Sequence, residues 1–91
     1  MKETFQYQLI EGVFDPQEAG KILFSLISNK INYHTKEIFS IQERYNGDVS
    51  HSEKRIEELN NINTALRSLI DNAIEKKKQF QISSVIEIKF V

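Results

Sequence analysis

This chain contains no cysteine, so its chemistry has to come from two histidines and from scattered carboxylates, hydroxyls and lysines. His34 is the first candidate. It lies in the stretch KINYHTKEIFSIQERYNG, from Lys30 to Gly47, where the surrounding pattern asks for leucine. Imidazole titrates near neutral pH and ligates metals, so a ligand, proton or metal site is the chemistry His34 would serve. The helical neighbours do not supply a metal set: Ile38 takes position i+4, and Glu37 at i+3 falls off the apolar line. The expected role is therefore register control, in which a polar residue on a packed seam fixes alignment at some cost in stability.

The crowded run SHSEKR, with Ser50, His51, Ser52 and Glu53, suggests a nucleophile and its activators. Adjacent residues in a first helical turn point in different directions, however, and Ser50 followed by Glu53 is the spacing of a capping box. The run has no context of a nucleophile elbow or triad. The run EKKKQ brings Lys76, Lys77 and Lys78 together, and hairpin geometry adds Lys21, giving a candidate contact for nucleic acid. Glu18, Asp71 and Glu75 intersperse these lysines, and cations at a helix C-terminus are expected from the helix dipole alone. No glycine-rich phosphate loop, paired-carboxylate cleft or dinucleotide fingerprint is present in the sequence. No catalytic residue, cofactor or metal is expected, and no enzyme, because no set of groups supplies both a reactive centre and its activator.

Positioning these residues falls to 91 amino acids, expected to form one domain near the lower size limit for folding without staples. An apolar fraction of 40% and a charged fraction of 27% are ordinary for a globular chain. A net charge of −1 gives no global attraction to nucleic acid or anionic membrane. The opening MKETFQYQLI lacks an apolar signal core, and no run approaches the roughly 20 apolar residues of a membrane span. A cytoplasmic location, with no membrane association, is the default expectation.

Four elements follow from the pattern. A strand is expected over about 3–14, where Phe5, Tyr7, Leu9 and Val13 recur at even spacing and Gly12 marks a bulge or bend. A helix is expected over about 16–45, capped by Asp15, opened by Pro16 and boxed by Glu18. Gly20 inside it costs roughly 1 kcal/mol against alanine and permits a close approach of the first strand. A turn at 46–49, built on Asn46-Gly47, leads to a second helix over about 50–79. A closing strand over about 80–91 carries Phe80, Ile82, Ser84, Ile86, Ile88 and Phe90 on one face.

Both helices carry a stripe with alternating spacings of three and four. In the first it is Phe24, Ile27, Ile31, His34, Ile38, Ile41 and Tyr45; in the second, Ile56, Leu59, Asn63, Leu66, Ile70 and Ala73. With a short connection they fold back as an antiparallel, coiled-coil-like hairpin. Facing residue numbers then add to about 94, give or take several residues, which sets His34 opposite Leu59 to Asn63 and gives Tyr33, His34 and Asn63 as a candidate polar seam or ligand site. Tyr7, Tyr33 and Tyr45 otherwise read as packing or interface anchors. The fold class is α+β: β-α-α-β, with a long antiparallel helical hairpin packed on a small antiparallel sheet. Two strands are marginal alone and leave open edges, so completion by homodimerisation is expected. The expected function is a non-enzymatic homodimeric protein-interaction or scaffolding module. The alternatives are a small nucleic-acid-binding protein using Lys21 and Lys76 to Lys78, and small-ligand binding at a subunit interface through Tyr33, His34 and Asn63.

Overall fold

The structure, a computed structural model, describes residues 3–45 and 47–91. The element order is β1 (Thr4–Phe14), α1 (Pro16–Tyr45), α2 (Ser50–Lys76) and β2 (Phe80–Lys89), with β1 and β2 paired antiparallel as a two-stranded sheet. This is the expected α+β order with its helical hairpin. Asn46, assigned to the turn from sequence, lies outside the described residues, as does the side chain of Tyr45.

α1 begins where the sequence placed it, because Asp15 Oδ1 accepts the Glu18 N–H at 2.8 Å and satisfies a donor that has no intrahelical partner. The start of α2 is built differently from the expected capping box. Ser50 is already helical, Val49 occupies the cap position without a side-chain hydrogen bond, and Asp48 Oδ1 accepts the Ser50 N–H at 2.9 Å. That bond holds the Asp48 carboxyl below its ordinary value of 3.8. The end of α2 also differs: the helix stops at Lys76 and not near Gln79. Lys77 turns left-handed (φ 55°, ψ 46°), its N–H reaches the Ile74 carbonyl at 3.2 Å, and the Lys78 N–H reaches the Ala73 carbonyl at 2.9 Å. This pair of bonds is a Schellman closure made without glycine.

The sheet departs from simple alternation at one place. A bulge between Gln8 and Ile10 makes Leu9 an extra residue, and the Gln8 side chain holds it. Gln8 Nε2 donates to the Ile10 carbonyl at 2.6 Å and the Ser83 hydroxyl at 3.1 Å. The apolar face therefore continues from Phe5 and Tyr7 to Ile10, Gly12 and Phe14, opposite Ile88, Ile86, Ser84, Ile82 and Phe80. Val13, expected on that face, pairs with Gln81 on the other and is 62% exposed. Gly12 is not the bulge; the Phe14 ring folds over it, with Cζ 3.4 Å from where a Cβ would stand.

Cross-helix contacts fix the hairpin. A Cβ on Gly20 would sit 3.3 Å from Ile70 Cδ1, so this glycine admits α2 and not, as expected, the first strand. The Arg67 guanidinium lies over the Phe24 ring at 5.7 Å, and Ser52 meets Glu37. The core made by this packing is thin. Ala19, Val49, Leu59, Ile70 and Ala73 are its buried apolar members, and among the described residues no large side chain is fully buried. The sheet touches the helices at its Phe14–Phe80 end, where Phe80 and Ile82 lie beside Leu23, Leu66 and Leu69 around a cavity of about 250 Å³. The other half of the same face, with Tyr7, Ile86, Ile88 and Phe90, is exposed.

The result is an open molecule measuring 50 × 36 × 15 Å, with a radius of gyration of 16.7 Å. A compact chain of this length has a radius of about 12 Å. Its accessible surface is 7432 Å², whereas a folded monomer of this mass exposes about 5,500 Å². No helix among the described residues is long and apolar enough to cross a membrane.

Candidate functional site

The best-defined cluster of polar side chains bridges the two helices near the turn. Ser52, 3% exposed, projects from the first turn of α2 and donates its hydroxyl to Glu37 Oε1 on α1 at 2.5 Å. The same carboxylate oxygen lies 3.7 Å from His34 Nδ1, one helical turn earlier. That is an ion-pair separation only if the imidazole is protonated, and it is too long for a hydrogen bond. The Tyr33 ring stands edge-on to the imidazole, 5.3 Å between centroids, and Lys30 Nζ sits 4.4 Å above the Tyr33 ring. The Ser52 hydroxyl holds the Glu37 carboxyl below its ordinary 4.5, with help from His34 and Tyr33 and against partial desolvation.

His34 itself is 7% exposed, and neither ring nitrogen has a hydrogen-bond partner. Asn63 Oδ1 is likewise buried without one. The structure does not bring these two polar seam residues together. The contacts Gly20–Ile70, Phe24–Arg67 and Glu37–Ser52 all join residues whose numbers add to about 90. On that register His34 stands level with Ile56, and Asn63 with Ile27, about two turns or 10 Å along the hairpin from His34. A sum of about 90 lies within several residues of the expected 94, but the difference is about one turn, and one turn is enough to exchange the neighbours.

Serine, histidine and glutamate in one cluster call for a test of triad chemistry, and the order of contacts fails it. A nucleophilic serine gives its proton to imidazole, which a carboxylate then orients. Here the serine donates to the carboxylate, and the imidazole lies 3.7 Å from that same carboxylate oxygen and is not the serine's acceptor. A carboxyl held below its ordinary value is a weak base near neutral pH, and Ser52 is too buried to meet a substrate. The cluster acts as a polar strut between α1 and α2. Sequence reasoning missed it by reading the SHSEKR run only through the Ser50–Glu53 capping box and by placing Glu37 off the seam. One signal was present: stepping back four residues from Ile56 along the α2 stripe lands on Ser52.

The lysines are spread around the base of the hairpin. Lys77 and Lys78 line a shallow depression with Asp15, Pro16 and Gln17. Lys21 lines a second depression that shares Pro16 and Gln17 with the first, together with Phe24 and Ile70. Lys76 ends α2. Asp15 shares the first depression, so the surface is of mixed charge and not a cationic groove. Among the described residues, no group of three or more histidine, aspartate or glutamate side chains is placed to hold a metal ion. Comparison with protein-family models, with curated proteins and with solved structures gave no match.

Proposed function

We propose that this protein is a non-enzymatic interaction module that works as a homodimer. The observation that carries the reading is surface: the chain exposes 7432 Å², about 1,900 Å² more than a compact monomer of its mass. A standard protein–protein interface covers about 800 Å² on each partner. The excess includes apolar side chains, since Ile86 and Ile88 on β2, Phe90 just beyond it, and Ile62, Leu69 and Ile74 on α2 are all exposed. The Ser52–Glu37–His34 strut supports the non-enzymatic part of the reading, because its groups satisfy or flank one another across the hairpin and leave no nucleophile facing solvent. Sedimentation equilibrium at micromolar concentration is expected to return twice the chain mass, and the melting temperature is expected to fall on dilution, as it does when folding and association are coupled. A monomer with a concentration-independent melting temperature overturns the reading.

A further inference from the structure

We infer that the second copy pairs along the free edge of β2, antiparallel about a two-fold axis at Val85, to make a four-stranded sheet in the order β1-β2-β2-β1. This rests on the homodimer reading and specifies its interface. The two edges of the present sheet are unequal. β1 is broken by the Leu9 bulge, which twists an edge away from further pairing, whereas β2 runs unbroken from Phe80 to Lys89, about 33 Å.

Backbone directions identify which groups are free. The Phe90 N–H points to β1, donating to the Glu3 carbonyl at 3.4 Å, and the Ser84 carbonyl points the same way, accepting from Gln8 Nε2 at 3.3 Å. Backbone groups alternate along a strand, so Gln81, Ser83, Val85, Glu87 and Lys89 direct their N–H and C=O groups to the open edge. A two-fold axis at Val85 pairs Val85 with itself, Ser83 with Glu87 and Gln81 with Lys89, using all five residues of each copy in about ten hydrogen bonds. No like charges stand opposite each other. Moving the axis to Glu87 would set two glutamates face to face.

The same axis accounts for the half-covered sheet. Phe80, Ile82 and Ser84 lie on the helix-covered half, and Ile86, Ile88 and Phe90 on the uncovered half. Rotation about Val85 exchanges the halves, setting Phe80 beside Phe90, Ile82 beside Ile88 and Ser84 beside Ile86 of the other copy. Each uncovered half then lies next to the half that the other copy's hairpin covers, and both hairpins sit on one face of the joined sheet.

Three measurements on the full chain test this. Val85→Pro removes an N–H from the free edge without taking one from the β1–β2 ladder, and Gln6→Pro does the same on the β1 edge. The expected result is loss of dimer for Val85→Pro, with helicity retained, and an unchanged dimer for Gln6→Pro. Because the chain has no cysteine, Val85→Cys and Ser83→Cys can be treated with a short homobifunctional thiol reagent. Val85→Cys is expected to cross-link to its own copy. Ser83→Cys is not, since its two copies lie about 13 Å apart along the strands. A dimer that survives Val85→Pro, or cross-linking of Ser83→Cys as readily as Val85→Cys, overturns the edge assignment while leaving a homodimer through the helices standing. If Val85→Pro fails to fold, the cysteine pair decides alone. An unmodified chain that sediments as a monomer removes the homodimer reading and this inference with it.

Discussion

Replacing His34 with leucine tests whether the imidazole does anything beyond occupying the seam. The ring is 7% exposed, and both nitrogens lack hydrogen-bond partners. A buried polar group left in that state costs about 1–3 kcal/mol. The nearest compensation is Glu37 Oε1 at 3.7 Å, and that oxygen is already engaged by Ser52. Leucine fills a similar volume without polar atoms, and its difference in shape costs less than about 1.5 kcal/mol. The expected balance is a gain of about 1 kcal/mol, worth about 4–8 °C in melting temperature for a chain of this size. Urea unfolding at one fixed protein concentration reads it, because the concentration enters the stability of a dimer. The midpoint should rise with an unchanged slope. A midpoint that falls, or a dimer that dissociates, refutes the reasoning. Either outcome means that the imidazole is favoured at this position, through Glu37, through a contact made in the dimer or through a bound ligand.

Two further substitutions address groups whose geometry is already specified. The Glu37 carboxyl is lowered from 4.5, so it adds stability that is complete above that value and is lost as pH falls through the lowered one. Ser52→Ala removes the largest cause, and the variant should be less stable at neutral pH and lose less stability on acidification. An acid limb identical to that of the unmodified chain shows that Ser52 does not hold Glu37. Lys77→Gly relieves a left-handed backbone at a non-glycine residue and should stabilise by about 1 kcal/mol in thermal unfolding. A loss of stability instead assigns the Lys77 side chain a partner.

The legible parts of this fold were those dictated by neighbouring residues. Asp15, Pro16 and the three-four spacing that follows are sufficient to start and orient α1, because a cap, a fixed φ and one apolar stripe act within a turn or two. The even apolar positions from Phe80 onward define β2 in the same way. What failed depended on one side chain acting at a distance. The Leu9 bulge exists because the Gln8 amide holds the Ile10 carbonyl and reaches across to Ser83 on β2, contacts that no alternation pattern contains. The hairpin register slipped by a turn because short helical connections tolerate several residues of offset, and packing at Gly20–Ile70 and Glu37–Ser52 makes the choice. The strut was half legible, since its serine continues the α2 seam, but its glutamate sits beside the seam and becomes a partner only at the observed register.

The distribution of satisfied and unsatisfied surface along the hairpin separates two tasks. Near the turn, Ser52 on α2 ties to Glu37 on α1, and Asp48 accepts from the first N–H of α2, so this end is held by hydrogen bonds made within the chain. At the sheet end the exposed apolar side chains accumulate, with Leu69 and Ile74 on α2 and Ile86, Ile88 and Phe90 on or next to β2. Burying a large apolar side chain contributes about 1.5–3 kcal/mol, so covering even part of this set outweighs the modest cohesion of a two-stranded sheet. A second copy joined at β2 would cover the sheet end and leave the hairpin tips free, each presenting Phe39, 67% exposed, to whatever the dimer meets. On this account the polar strut stabilises the tip in the absence of a partner, and the sheet end is where association and folding are one process.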